Sequence, residues 1–165
     1  MKKYSIIVII LFSSIFFANC SQKRDDTNKN QIHINQEIVQ PIKNDTILVK
    51  LDDDIILKWD VVSDQLIENE NYINISTDKN KIKTIVNSIC NDEDLGIKVQ
   101  TKKENLKKGD VAFLYLIRTR KIYLFSCLKV QFDVYDKNYK YAYGLLDYIE
   151  EYRLEVQNKV KACIK

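Results

Sequence analysis

The C-terminal stretch carries the feature that most restricts the fold, a regular apolar stripe in an otherwise polar segment. Six of its residues recur at spacings of three or four positions: Leu145, Ile149, Tyr152, Val156, Val160 and Cys163. Residues with this spacing lie on one face of an α-helix, so the pattern predicts a long amphipathic helix from about Ala142 to Ala162. Such a helix is stable only when its apolar face is packed, which predicts a hydrophobic core for it to cover.

The N-terminus holds an apolar run of a different kind. Lys2 and Lys3 precede a run from Tyr4 to Phe17 that only serines interrupt. The run is shorter than the roughly 20 residues that span a bilayer, and it matches the apolar region of a secretory signal, about 7–15 residues long. It has no polar face, which argues against a helix of a globular core. We therefore predict a signal peptide over residues 1–19, with an uncleaved membrane anchor as the alternative.

The end of this run resembles a known processing site. Phe17-Ala18-Asn19-Cys20 is similar to the lipobox of bacterial lipoproteins, in which an apolar residue and small residues precede a cysteine. The resemblance implies that Cys20 becomes the first residue of the mature chain and carries acyl chains. Two or more chains give stable attachment to a membrane. The expected location is therefore the bacterial cell envelope, with the membrane as a partner through Cys20.

The residues that follow Cys20 suggest which membrane this is. The tract from Ser21 to Asp26, with Lys and Arg before two Asp, resembles the export signal of surface lipoproteins in one Gram-negative phylum. It implies attachment to the outer membrane and display at the surface, while a periplasmic position stays open. Residues 20–44 are polar and hold the single Pro and the single His. We interpret them as a lipidated Cys followed by a flexible tether.

Residues 45–165 remain as the globular domain, and their patterns predict a small α+β fold that is mainly helical. The predicted elements are a helix over 53–68 with a strand or helical segment at 46–51, a loop at 69–74, a helix over 78–90, a short strand at 97–99, a polar helical turn or loop over 101–108, a helix at 111–117 capped by Asp110, and a strand over 122–135. The β element is expected to be minor.

Composition excludes several classes of function. The full chain has 26 Lys and Arg against 23 Asp and Glu, and loss of Lys2 and Lys3 with the signal leaves 24 against 23. A chain this close to neutral does not bind nucleic acid through bulk charge, so we expect no nucleic-acid partner.

The cysteines allow two arrangements. With Cys20 lipidated, Cys90, Cys127 and Cys163 remain. Buried thiols, or one disulfide that joins Cys163 to Cys90 or Cys127, are both compatible with this compartment.

Two residue clusters are candidates for contact with a partner. The first cluster is the densest group of positive charges in the sequence and includes Lys102, Lys103, Lys107 and Lys108. The second cluster is a run of alternating tyrosines, Tyr139, Tyr141 and Tyr143. Lysines can meet acidic groups or lipid head groups, and tyrosine is enriched at protein interfaces. A solvated face and core packing are the respective alternatives.

No catalytic or metal-binding motif is present. The chain lacks the spacings of zinc proteases, serine hydrolases, dinucleotide-binding proteins and P-loop proteins. The three consecutive carboxylates at 52–54 do not follow the spacing of a calcium loop, so we predict no metal ligands. We expect no cofactor, no catalytic residue and no enzymatic activity.

The predicted function is binding of a protein partner at the envelope, of which protection against a toxin is one form. The alternatives are a structural or assembly lipoprotein and, less favoured, a hydrolase that uses carboxylates.

Overall fold

A computed structural model describes residues 45–134 and 141–164. These residues form a small α+β domain with a long C-terminal helix, which confirms the predicted fold class at that level. The signal peptide, Cys20, the tether and Tyr139 lie outside the described residues.

The domain begins with an antiparallel sheet of three strands in the order β1-β2-β3. The strands are β1 (Thr46–Asp52), β2 (Ile55–Asp60) and β3 (Gln65–Leu66). A two-residue turn at 53–54 joins β1 to β2, and the Asp52 carboxylate accepts a hydrogen bond from the Asp53 N–H at 2.7 Å. Asp residues suit such turns because their side chains bond nearby backbone donors.

The predicted helix over 53–68 is therefore wrong, and the strand alternative for residues 46–51 is correct. Ile55, Leu57 and Trp59 point into the core while the residues between them face outward. Ile55 and Trp59 are four residues apart, so they lie on one face of a helix and also on one face of a strand, and so short a segment fits both patterns. The three carboxylates decide between them, because Asp53 and Asp54 form the hairpin turn and Asp52 bonds to it at the end of β1, instead of forming the first turn of a helix.

Two helices and a short turn follow the sheet. They are α1 (Glu70–Thr77), α2 (Lys79–Asn87) and a 3₁₀ turn (Ser88–Cys90). The loop predicted at 69–74 is wrong, because the Asn69 side chain caps α1 by accepting a hydrogen bond from the Tyr72 N–H at 2.8 Å. The helix predicted over 78–90 is confirmed, and Asp78 caps α2 through the N–H groups of Asn80 and Lys81.

A second sheet precedes the most buried helix. It contains β4 (Asp94–Lys98) and β5 (Asn105–Lys107), and α3 (Lys108–Arg118) begins directly after β5. The helix predicted at 111–117 is confirmed. Asp110, however, lies inside the first turn and accepts a hydrogen bond from the Lys107 N–H at 2.9 Å, so Lys107 and not Asp110 is the capping position.

The chain ends in a short helix and a long one, α4 (Leu124–Leu128) and α5 (Leu145–Cys163). The strand predicted over 122–135 is wrong, since residues 122–134 contain α4 and no strand. The buried residues here are Ile122, Cys127 and Leu128, which do not alternate. The C-terminal helix is confirmed. A disulfide joins Cys127 in α4 to Cys163 at the end of α5, with the two Cα atoms 5.8 Å apart.

Helix α3 lies at the centre of the domain. Every residue from Gly109 to Leu116 is buried, and α3 contacts α2, α5, the 3₁₀ turn and strands of both sheets. A helix that is apolar on all sides must be covered on all sides. The amphipathic helix α5 supplies one of these covers through residues such as Ile149 and Val156.

Candidate functional site

Four charged side chains form a network inside the domain. The Lys102 ammonium donates to Asp110 Oδ2 at 2.7 Å and to Glu150, and the Arg153 guanidinium donates to Asp110 Oδ1 at 2.7 Å and to Glu150 at 2.9 Å. The side chains of Lys102 and Asp110 are 0% exposed. Two cations and two carboxylates balance, which satisfies the requirement that buried charges be paired.

The charges of the network hold Glu150 ionised. Burial alone would raise the pKa of its carboxyl, but the hydrogen bonds and charges of Lys102 and Arg153 outweigh burial and leave that pKa below its usual value. Burial opposes the charge of Arg153 as well, and the two carboxylates keep the pKa of its guanidinium above the usual range. Glu150 and Arg153 therefore both stay charged near neutral pH.

The network joins three regions that are distant in sequence: the 3₁₀ turn, residues 102–110 and α5. Lys102 also donates to the Asn105 carbonyl at 2.9 Å, and Arg153 donates to the Ile89 carbonyl at 3.2 Å. All partners belong to the domain itself, so the arrangement serves to connect α3 and α5 with the 3₁₀ turn. This corrects the expectation that Lys102 contacts a partner, because the structure places its ammonium group in the interior.

The neighbouring lysines of the predicted contact set are largely neutralised. Lys107 pairs with Asp94 at 3.1 Å and Lys108 pairs with Glu93 at 2.7 Å. Lys103 is exposed, and its backbone N–H donates to the Asp147 carboxylate at 2.9 Å. The densest run of lysines in the sequence is thus not a free cationic surface, because acidic residues of the β4 region neutralise part of it.

The predicted tyrosine cluster divides in a similar way. Tyr141 is buried, and its hydroxyl donates to the Asp64 carbonyl at 3.2 Å, so it packs within the domain and does not face a partner. Tyr143 is exposed, and its hydroxyl donates to the Gln100 carbonyl at 3.0 Å. Tyr143 thus stays a candidate for partner contact.

Two carboxylates near β3 have pKa values shifted in opposite directions. A hydrogen bond from Ser63 lowers the pKa of Asp60, whereas burial raises the pKa of Asp64. Asp60 accepts from the Val62 N–H at 2.9 Å, and Asp64 accepts from the Gln100 N–H at 3.1 Å. Both carboxylates therefore anchor turns of the backbone, which accounts for their positions without a role in catalysis.

A cleft of about 590 Å³ opens between α2 and the end of α5. Its floor is apolar and includes Ile82 and Val86 of α2 and Ile164 beyond α5. Clefts of this size accommodate small ligands or the side chains of a docked helix. Four lysines line it: Lys79, Lys83, Lys121 and Lys161. We call this feature the lysine-rimmed cleft.

No described residue neutralises the charges of the lysine-rimmed cleft. Among residues 45–134 and 141–164, none of its four lysines forms an ion pair with a carboxylate. Lys161 instead donates to the Gln157 side-chain oxygen at 2.9 Å, and Gln157 donates to the Asn87 carbonyl at 2.7 Å. The amide of Gln157 thus holds one of the ammonium groups in place beside α2.

This cleft could not be predicted from the sequence. Lys79 and Lys83 are an i,i+4 pair of like charge with Ile82 between them, which is unfavourable for the helix alone and was the one local signal. Lys121 and Lys161 come from elements that only the tertiary fold brings to α2.

Comparisons of the chain with models of protein families, with curated proteins and with solved structures find no match. None of the helices in the described ranges has the length and apolar content to cross a membrane. In the same ranges no three His, Cys, Asp or Glu side chains come together as metal ligands would.

Proposed function

We propose that this protein is a non-enzymatic, protein-binding lipoprotein of the bacterial cell envelope, and that the lysine-rimmed cleft receives an acidic segment of its partner. The lipobox resemblance around Cys20 supports the anchoring, and the tract that follows it supports the outer membrane. The observation that carries the binding role is the cleft itself, in which four lysines surround an apolar floor and none of them pairs with a carboxylate of the described ranges. Protection against a toxin is one form that such binding takes.

The cleft has the properties of a surface that recognises a partly apolar, acidic helix. Lys79, Ile82, Lys83 and Val86 follow an i, i+3, i+4, i+7 pattern, so one face of α2 presents both the apolar floor and part of the basic rim. An amphipathic helix laid into such a groove buries its apolar side while its carboxylates meet the lysines. Complementary charge adds mainly to the rate of association and to the choice of partner.

Photo-crosslinking in living cells tests this proposal. A photoreactive residue replaces Lys83 in the cleft or, as the matched control, Lys58, an exposed lysine of β2 that does not line the cleft. We expect one protein to cross-link at position 83 and not at 58, through a peptide rich in Asp and Glu. Lys79→Glu in the same chain should remove that cross-link by placing a carboxylate in the basic rim.

Two outcomes would contradict the proposal. Cross-linking to the same proteins at 83 and 58 would show that the cleft has no partner of its own. A cross-linked peptide that lacks acidic residues, or one whose yield is unchanged by Lys79→Glu, would show that the lysines do not select it.

A further inference from the structure

A second surface, separate from the cleft floor, surrounds α4. Tyr123 and Phe125 are 64% and 67% exposed, although each is next to a residue that packs inward. Large aromatic side chains that stand clear of the surface commonly mark contact with a protein or a membrane. The segment that presents them is held firmly, because Ile122 and Leu128 are buried and Cys127 is disulfide-bonded.

The charges on the chain segment that carries these aromatic rings are all positive; the nearby α5 carboxylate of Glu155 is paired with Lys159. Arg120, Lys121 and Lys129 are exposed, and the Lys129 ammonium lies 6.0 Å from the centre of the Phe125 ring. Residues 111–132 contain no Asp or Glu. A partner for this surface must therefore be anionic where it meets the cations and apolar where it meets the rings.

The backbone at two of the cations is left-handed, which makes Asn a suitable replacement for each. Arg120 and Lys129 both have left-handed backbone conformations, with φ of 56° and 59°. Gly and Asn adopt this conformation at lower cost than Arg or Lys. The φ angle therefore favours Gly or Asn at both positions, although both lie at the C-terminal end of a helix, where a positive charge is favourable.

We propose that this aromatic and basic surface, formed by Arg120, Lys121, Tyr123, Phe125 and Lys129, rests on a bilayer that contains anionic phospholipid. Tyr is favoured at the boundary between water and hydrocarbon, where its ring is apolar and its hydroxyl stays wet. Basic residues close to an anionic bilayer each strengthen binding about fivefold. An acidic protein surface would pair with the cations equally well. A bilayer also accounts for the two projecting rings, because hydrocarbon directly below the head groups can receive them.

This contact does not depend on the partner proposed for the cleft. It requires only that the domain meets a bilayer, and it sets the orientation of the domain against the membrane. The cleft and the α4 surface share Lys121 alone, so the remaining residues of each can be changed separately.

Hydroxyl-radical footprinting of the full chain in vesicles tests the proposal. Phosphatidylcholine vesicles with and without one-quarter phosphatidylglycerol provide the anionic and neutral surfaces, and mass spectrometry measures oxidation of individual side chains. We expect Tyr123 and Phe125 to be protected in the anionic vesicles only. Tyr143 and Tyr152 are also exposed, at 48% and 40%, and should be oxidised equally in both as internal controls.

A double variant separates the effect of charge from that of folding. Arg120→Asn with Lys129→Asn removes two cations and suits the left-handed backbone, so the domain should fold at least as well. Loss of two charges should weaken the contact about 25-fold and restore oxidation of Tyr123 and Phe125 to its level in neutral vesicles. Leu48→Ser with Val62→Ser changes two exposed apolar residues of the first sheet region and should leave the protection unchanged.

Three results would overturn the proposal. Equal oxidation of Tyr123 and Phe125 in anionic and neutral vesicles would show that no anionic bilayer is recognised. Protection that survives the asparagine substitutions would show that the cations do not matter. Protection of Ile164, the partly exposed apolar residue of the cleft, in place of the aromatic residues would place the cleft against the membrane, and would also contradict the function proposed for the cleft.

Discussion

The Lys102 ammonium and the Asp110 carboxylate form an ion pair at 2.7 Å with both side chains completely shielded from water. The pair survives burial because Arg153 and Glu150 complete the charge balance around it. Breaking such a pair by removing one partner leaves a charge that neither water nor protein solvates. The stability of the whole domain is therefore sensitive to this one contact.

Asp110→Asn should be strongly destabilising. The change preserves shape but leaves Lys102 and Arg153 with one carboxylate between them, and we expect the free energy of unfolding to fall by about 3–5 kcal/mol. Urea denaturation followed by circular dichroism measures this. The exposed Asp92→Asn is the control. Adding Lys102→Met to Asp110→Asn should recover part of the loss, and a loss below about 1 kcal/mol for the single variant would contradict the charge argument.

Gly109→Ala should disrupt the same region for a steric reason. A Cβ on Gly109 would lie 2.6 Å from the Arg153 guanidinium and 2.8 Å from the Asn91 carbonyl oxygen, and it would also overlap the Ile89 carbonyl. We expect a cost of about 1–3 kcal/mol, measured by thermal unfolding. Gly144→Asn is the contrast, because no atom lies within 4 Å of a Cβ there and Asn tolerates its positive φ. Similar costs for both variants would argue against the crowding at Gly109.

Stability should fall in acid in part through Glu150. Because its pKa is lowered in the folded state, the unfolded chain takes up a proton first, with a pKa near the ordinary value of 4.5. The stabilisation is complete above that pH and disappears as pH falls through the lower folded-state pKa. The unfolding free energies of the parent and of Glu150→Gln, measured from about pH 7 to pH 3, should therefore converge in acid. A difference independent of pH would show that the carboxylate is not held ionised.

Reduction of the Cys127–Cys163 disulfide should destabilise the domain. The bond closes a loop with a sequence separation of 36, which corresponds to about 3–4 kcal/mol on the chain-entropy account. Thermal unfolding with and without dithiothreitol measures the effect. Cys127→Ala with Cys163→Ala should behave like the reduced protein, and dithiothreitol should not change its melting temperature. An unchanged melting temperature for the reduced parent would contradict a structural role for the bond.

The sequence predicted those elements whose apolar pattern is long or whose flanks are distinctive. The stripe of α5 spans five turns and α3 is a continuous apolar run, so both helices were predicted correctly. The details were not, because Lys107 and not Asp110 is the capping position of α3, and Tyr152 and Cys163 of the α5 stripe are exposed. Residues 53–68 failed because strand and helical spacings coincide over so few positions, and residues 122–134 failed because the burial of Cys127 reflects a distant partner at Cys163. Local patterns do not contain such long-range information.

The candidate site was predicted less well than the fold. Lys102, Lys107 and Lys108 were predicted as contact residues because lysines are dense in that part of the sequence. The fold buries Lys102 and pairs the other two with acidic residues. The lysines that line the cleft are isolated in sequence, and α2, the chain after α3 and the end of α5 bring them together. Whether a lysine is available to a partner depends on its spatial neighbours, which the order of residues does not reveal.

The late position of α5 affects how the domain assembles on a growing chain. Its side chains bond to partners that precede them by as many as 70 residues, as in Gln157 with Asn87, and Glu150 follows its partner Lys102 by 48. Synthesis proceeds at roughly 5–20 residues per second, so the buried face of α3 stays uncovered for several seconds after it emerges. During that interval the chain resembles a substrate for holding chaperones. The domain therefore cannot complete its fold until α5 has emerged and packed against α3.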